Sequence, residues 1–209
     1  MRIAIPSVTS RLHEGVLTVL LDAFGDVDLE FTRRTLTRSV APGVDLLLCR
    51  GTDVPRLVSL GVADVGITGY DMAVEWSLAL GTELDIRSLA PARTSFVTYA
   101  TVQGREVHRI YTEYPHLTKA WAAGSTEHAH CETVVLHGSS EGVIRVDEQS
   151  AGVLLVTSGR TSADSGLDLT IPLLETDAVA VRRPGHAVPL GKTELETRPV
   201  LPLPSFVTG

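Results

Sequence analysis

Short apolar runs alternate with helical patterns along this chain, and the alternation predicts βαβ units built on a mainly parallel sheet. Arg2–Ile5 reads as the first strand, and His13–Phe24 repeats apolar residues at Val16, Leu17, Leu20, Leu21 and Phe24 with a helical period. Asp45–Cys49 reads as a buried strand. Asp53–Leu60 sets an aspartate at the N-cap and Pro55 in the first turn, ahead of Leu57, Val58 and Leu60 as packing residues. Val65–Ile67 is a short strand closed by the Thr68-Gly69 turn, and another helix starts over Asp71–Trp76.

A second set of elements begins near Pro91. Phe96–Thr101, Arg109–Thr112, Thr133–Leu136 and Val153–Val156 are strand candidates, and Pro115–Ala123 is a helix that Gly124 ends. Ala178–Val181 is the last strand. Pro184, Pro189, Pro199, Pro202 and Pro204 then predict an extended tail wrapped over the surface. The expected fold class is α/β in two lobes, residues 1–92 with 178–209 and residues 93–177, with a ligand cleft between them.

Composition narrows the function classes. In 209 residues, 44% hydrophobic and 21% charged side chains describe a chain that folds rather than a disordered one. The net charge of −7, with no long Lys/Arg cluster, argues against a nucleic-acid partner, and Arg33, Arg34 and Arg38 read as a solvated face. Cys49 and Cys131 have neither CxxC spacing nor the density of a disulfide framework, so both are expected reduced. The chain enters a strand at once, without the pattern of a signal peptide, and no apolar stretch approaches the ~18 residues of a membrane span. A cytoplasmic protein with no membrane partner is the expectation.

The candidate chemistry lies at strand ends. Val153–Thr161 is an apolar strand that stops at hydroxyl residues and glycine. A strand-to-helix turn of that kind aims backbone N–H groups and the hydroxyls of Thr157, Ser158 and Thr161 at one point, where the helix dipole favours an anion. Arg160 adds charge beside Gly159. The same cluster also reads as an ordinary capped turn. Asp64–Asp71 repeats the design, running from a buried strand into Thr68 and Gly69, and ligands of open α/β sheets lie outside the carboxyl ends of strands. Arg50 ends one strand and Arg11 follows another; either guanidinium can hold a pyrophosphate by paired hydrogen bonds, or can be a surface arginine.

At these residues the chain resembles a known family. Arg50-Gly-Thr-Asp-Val-Pro55, Gly61–Gly69, Glu113-Tyr-Pro-His-Leu-Thr118, Leu136-His-Gly-Ser139, Glu141 and Thr157-Ser-Gly-Arg-Thr161 resemble, in order and spacing, the histidine-pathway ATP phosphoribosyltransferases from about Arg2 to Arg182. The resemblance implies lobes similar to those of type II periplasmic-binding proteins. It also implies Mg²⁺-dependent transfer of phosphoribose from PRPP to N1 of ATP, with the Mg²⁺ held mainly through substrate phosphates. The 93–177 lobe would bind phosphoribose, with Thr157–Thr161 on the 5′-phosphate, Glu141 on a ribose hydroxyl, and Tyr114 and Ser139 nearby. The other lobe would take acceptor and pyrophosphate, with Arg11, Arg50, Thr68 and Gly69 on its wall. The length resembles the short form, which implies a homo-oligomer and a partner subunit related to histidyl-tRNA synthetase.

Several positions depart from the family pattern. Leu154 stands where the family places a ribose-binding acid, leaving Glu141 alone or joined by Asp147 or Glu148. Thr52 and Ser95 stand where basic residues are usual, and Arg11 keeps only part of the usual Lys-Gly-Arg-Leu. Each lost charged contact to a buried phosphate costs ~1.5–3 kcal/mol. Three readings stay open: an active ATP phosphoribosyltransferase, including a paralogue of a specialised nucleoside-antibiotic pathway; a phosphoribosyltransferase with another acceptor; and a phosphosugar-binding regulatory subunit without turnover. His128, His130 and Cys131 lack a second ligand pair at zinc-like spacing and read as a polar loop. His137 lies where ligand contact is conceivable, Tyr114 reads as an adenine-stacking or a packed ring, and Trp76 and Trp121 read as core. Asp71 and Glu75 read as helix-start carboxylates without assigned chemistry.

Overall fold

The computed structural model describes residues 1–32, 34–81, 83–89, 95–138, 140–157, 166–186 and 198. Two compact units result: Met1–Ala92 with Asp177–Val200, and Arg93–Thr176 with Leu201–Gly209. No described helix is long and apolar enough to cross a membrane.

The first unit holds strands β1 (Arg2–Pro6), β2 (Thr37–Ala41), β3 (Val44–Cys49), β4 (Val65–Gly69), β5 (Asp85–Ser88) and, from late in the chain, β11 (Ala178–Arg182). Its helices are α1 (His13–Phe24), α2 (Val54–Ser59) and α3 (Tyr70–Leu80). The sheet order is β2-β3-β1-β4-β11-β5. β1 runs parallel to β3 and β4, while β2 and β11 join antiparallel to their neighbours. The helical period of α1 buries Val16 and Leu20 against Ile3, Ile5, Leu46, Leu48, Val65 and Ile67, and Gly25 ends the helix at a positive φ of 78°. On α2, Val54 and Val58 lean so close to Gly66 that a Cβ there would collide with Val54.

The second unit holds β6 (Ser95–Thr101), β7 (Arg109–Thr112), β8 (Glu132–Val135), β9 (Ser150–Val156) and β10 (Asp168–Thr176), with α4 (Pro115–Ala122) and α5 (Ser140–Val146). The order is β10-β6-β9-β7-β8, with β7 parallel to β8 and β9 and the other pairs antiparallel. Successive residues of β6 face opposite sides of the sheet. Tyr99 accordingly meets Trp121 of α4, and Ala100 packs with Ile144 of α5, Leu154 and Leu167.

The expectation of a mainly parallel sheet is corrected: the first sheet has a parallel centre, β3-β1-β4, with antiparallel flanks, and the second has parallel strands β9-β7-β8 at one edge and antiparallel strands at the other. In the first unit, β2 and β3 are joined by the tight Pro42-Gly43 turn, with Gly43 at φ 73°, and a turn that short can join antiparallel neighbours only. β2, β5, α5 and β10 are additional to the elements expected from sequence. α5 is short and carries Gly142 inside, so it shows no helical period. β10 contains Pro172, which argues against a strand, yet it is an edge strand with register shifts on both sides of that residue. The extended tail expected from the late prolines lies mostly outside the described residues; Arg198 is described, and its N–H pairs with Ile86 on β5.

Candidate functional site

In the first unit the parallel strands β1, β3 and β4 end on one edge, since Pro6 is in register with Cys49 and Ile3 with Val65. The turns after β1 and β3 carry Arg11 and Arg50; Thr68 and Gly69, expected in a turn, are instead the last two residues of β4, paired with Val179 and Ala178, and α3 follows directly. Arg11 sits in the turn after β1 with its side chain 30% exposed, and its Nη2 is 3.7 Å from Oδ1 of the buried Asp71. Arg50 leaves β3 exposed, and its carbonyl accepts the Asp53 N–H at 2.9 Å.

Thr68 is fully buried, and its hydroxyl donates to the Gly51 carbonyl at 2.8 Å. It therefore ties the β4 end to the turn after β3 instead of presenting its hydroxyl outward. Trp76 of α3 fastens the same turn, donating from Nε1 to the Thr52 carbonyl at 2.6 Å. A side chain at Gly69 would strike the Asp71 carboxylate and lie 3.6 Å from Arg11 Nη2, so glycine keeps this approach open. Asp71, left without a role by sequence, emerges as the group that orients Arg11. Its only sequence signal was an acid two residues after the turn, which a helix start explains equally well.

In the second unit the parallel strands β7, β8 and β9 likewise end together. Thr112 closes β7: its hydroxyl donates to Val153 O at 2.9 Å and accepts the Tyr114 N–H at 2.9 Å. Beside it lies a cavity of about 110 Å³ whose walls include Tyr114, Gly138, Glu141 and Leu154. Glu141 enters half-buried from the first turn of α5. Tyr114 is only 2% exposed, so its ring is packed into the wall and offers no open face for a stacked base. Thr157 is exposed just past β9. Ser139, Ser158, Gly159, Arg160 and Thr161 lie outside the described residues.

Leu154, at the position of the expected acid, is buried in the apolar cluster of Ala100, Ile144 and Leu167. Asp147 does not replace that acid. Its carboxylate accepts from Arg109 Nε at 2.8 Å, Arg109 Nη2 at 2.7 Å and the Tyr111 hydroxyl at 2.9 Å. Arg109 opens β7 beside Ser150, so this cluster sits at the amino edge of the parallel strands, opposite Thr112. The Arg109 hydrogen bonds hold the Asp147 carboxyl well below the usual carboxylate range, and Asp147 in turn pushes the Tyr111 phenol up. Glu148 follows it, exposed.

The remaining candidates are structural or peripheral. His128 is buried in a stack with Tyr99 and Trp121, with ring centroids 4.8 and 5.3 Å away. Burial there pulls the imidazole below its ordinary value. His137 is exposed after β8. Among the described residues, no cluster of three or more His, Cys, Asp or Glu side chains is placed to hold a metal. Burial, reinforced by Asp53, pushes the Cys49 thiol up to about 12.

Two α/β units, each with three parallel strands among antiparallel ones, define a class of two-lobed α/β folds. The alkanesulfonate-binding protein SsuA from Xanthomonas axonopodis bound to MOPS shares this fold alone, with a TM-score of 0.51 at 12% identity over 88% of this chain and 65% of that one. The particular family is closer. A sequence model described as HisG: ATP phosphoribosyltransferase matches residues 50–194, and this chain belongs to that family. An ATP phosphoribosyltransferase of Methanopyrus kandleri is 30% identical over 186 residues, covering 87% of this chain and 65% of that protein. One from Acidithiobacillus ferrooxidans is 36% identical over 146 residues, 67% of each. The ATP phosphoribosyl transferase (HisG:HisZ) complex from Thermotoga maritima contains a chain with a TM-score of 0.73 and 26% identity, with 88% of both chains covered. This chain spans less than two thirds of the Methanopyrus relative and of one from Rhodopirellula baltica, at 65% and 62% of their lengths.

Proposed function

We propose that this chain transfers the phosphoribosyl group of PRPP to N1 of ATP and releases pyrophosphate. The observation that carries the reading is the family match over residues 50–194, which takes in the Arg50–Pro55 segment, the Thr68-Gly69 end of β4, Glu141 and the Thr157–Thr161 segment. Thr157, Ser158, Gly159, Arg160 and Thr161 take the 5′-phosphate, with Ser139 and Glu141 at the ribose. Arg11, Arg50 and the open approach at Gly69 take pyrophosphate or triphosphate oxygens, while Thr68 and Asp71 hold those groups in place. Residues 1–92 with 178–209 then serve as the acceptor and pyrophosphate lobe, and residues 93–177 as the phosphoribose lobe.

The chemistry asks little of a base. The N1 lone pair bonds to the anomeric carbon as the carbon–oxygen bond to pyrophosphate breaks and its electrons leave with that group, so positioning and charge stabilisation dominate. Mg²⁺ fits this donor set as a substrate-borne ion. Of the carboxylates at these strand ends, Asp71 is engaged with Arg11, so phosphate oxygens and water supply most ligands. Bound there, the ion offsets the charge of the departing pyrophosphate. Assembly as a homo-oligomer with a histidyl-tRNA-synthetase-related subunit, working in the cytoplasm, completes the proposal. Its pathway is histidine biosynthesis or a specialised nucleoside branch.

The test mixes the chain with PRPP, ATP and Mg²⁺, with and without such a partner, and follows phosphoribosyl-ATP absorbance and pyrophosphate release. Product in either mixture supports the assignment; no product in both refutes it. The apolar burial of Leu154 favours one second reading, a phosphosugar-binding regulatory subunit, which predicts saturable PRPP binding with no pyrophosphate released.

A further inference from the structure

The start of α3 is held by a residue from late in the chain. Gly69, in extended conformation at φ −78° and ψ 144°, pairs with Ala178 of β11, and the next step of that ladder runs from the Tyr70 N–H to the Asp177 carbonyl at 2.9 Å. Gly69 has no side chain to cap the helix, so this backbone bond satisfies the first of the N–H groups that a helix start leaves free. Tyr70 is 1% exposed, and the guanidinium of Arg198 lies over its ring with Cζ 3.9 Å from the centroid. The same guanidinium forms an ion pair through Nη1 with the Asp177 carboxylate, and the Arg198 N–H donates to the Ile86 carbonyl on β5 at 2.8 Å. Tyr70 is thereby gripped twice by one pair of residues, at its N–H by Asp177 and at its ring by Arg198.

This grip falls on the candidate anion site. Gly69 precedes Tyr70 and Asp71 follows it, and Asp71, 2% exposed, stands 3.7 Å from Arg11 Nη2. One ion pair therefore lies on each side of Tyr70, Arg198 with Asp177 and Arg11 with Asp71. A displaced Tyr70 would carry both the Asp71 carboxylate and the open approach at Gly69 with it, because the three residues are consecutive. Arg198 is not placed as an anion ligand itself, since its guanidinium is committed to a ring and a carboxylate of its own chain.

We infer that Arg198 is a positioning residue for the anion site: it fixes Tyr70 and, through the helix start, sets Asp71 against Arg11, which aims the Arg11 guanidinium at a phosphate-bearing ligand. Arginine suits the task because its planar group stacks on an aromatic face while donating to a carboxylate. The identity of the ligand rests on the phosphoribosyl-transfer reading, whereas the coupling from Arg198 to Arg11 does not.

Two measurements on the full chain test this. The Arg11 Nε–H resonance, assigned by its loss in Arg11→Lys, is compared between the parent and Arg198→Ala, and magnesium pyrophosphate is titrated calorimetrically into the same samples. The expected result is a displaced Arg11 resonance and pyrophosphate binding weakened about three- to tenfold, the scale of one lost ring-to-guanidinium contact. In an Asp71→Asn background, where Arg11 has already lost its carboxylate, Arg198→Ala should weaken binding no further. Arg182→Ala removes an ion pair with Asp85 at the opposite end of β4, where Arg182 pairs with Val65, and should change neither measurement. Circular dichroism checks that each variant folds; if Arg198→Ala does not, Arg198→Lys, which keeps a cation for Asp177 and loses the planar group, gives the same comparison. An unmoved Arg11 resonance overturns the inference, and so does a loss of affinity that is as large in the Asp71→Asn background or in Arg182→Ala, since either marks a general loss of stability. A parent chain that binds no pyrophosphate counts against the phosphoribosyl-transfer reading alone, because the Arg11 resonance still decides whether Arg198 acts on it.

Discussion

Replacing Thr68 by valine keeps the shape of a fully buried side chain and deletes one hydrogen bond, from Thr68 Oγ1 to the Gly51 carbonyl. A neutral hydrogen bond contributes ~0.5–1.5 kcal/mol net, and an acceptor left dry costs ~1–3 kcal/mol. Gly51 is half-buried, so water partly restores its partner, and the expected loss is about 1–2 kcal/mol. For a chain of 209 residues that corresponds to a fall in Tm of roughly 2–8 °C. The local consequence is sharper. Gly51 belongs to the turn that presents Arg50, and the Asp53 N–H bonded to the Arg50 carbonyl reports on that turn. Hydrogen exchange at Asp53 should accelerate in Thr68→Val, while Thr68→Ser, which retains the hydroxyl, should protect it almost as the parent does. If Arg50 holds a phosphate, the KM for the phosphate-bearing substrate rises in the valine variant with kcat nearly unchanged. A valine variant as stable as the parent, with unchanged exchange at Asp53, would refute the claim that this bond anchors the turn.

Three other outcomes follow from the packing and charges. Asp147 has its folded-state pKa depressed by Arg109, so its contribution is present above the unfolded value of 3.8 and fades as the pH falls below it; urea unfolding should show Asp147→Asn destabilised at neutral pH, with the gap to the parent shrinking in acid. Cys49, with its thiol pushed up to about 12, should resist alkylation at pH 8 until the chain is unfolded, as mass spectrometry of iodoacetamide-treated protein would show. Leu154→Ala, at a side chain 8% exposed in the Ile144 cluster, should cost ~2–4 kcal/mol in a denaturation series, and a neutral result would mean that this cluster is not packed as described.

The central strands and the longer helices were legible because local pattern decides them. The His13–Phe24 helix has the bounds its apolar period predicts, and the parallel strands β1, β3, β4 and β7 are continuous runs ended by turn residues. β10 was not legible, because its proline is tolerated only through an edge position that no local window reveals. Arg50, Thr68 and Gly69 could be placed near strand ends from sequence, though Thr68 and Gly69, read as a turn, complete β4. That Thr68 bonds Gly51 and the buried Asp71 meets Arg11 could not, because each contact depends on a partner distant along the chain.

Taken alone, the sequence determined the alternation of elements, the family pattern and the residue types available for anion binding, since periodicity and turn chemistry are properties of neighbouring residues. Tertiary structure alone decided the mixed direction of each sheet, the commitment of Asp147 to Arg109 at the edge away from the candidate site, and the burial of Tyr114. Those outcomes depend on which distant segments share a sheet edge, and burial and pairing across such distances are long-range quantities that short sequence patterns do not encode.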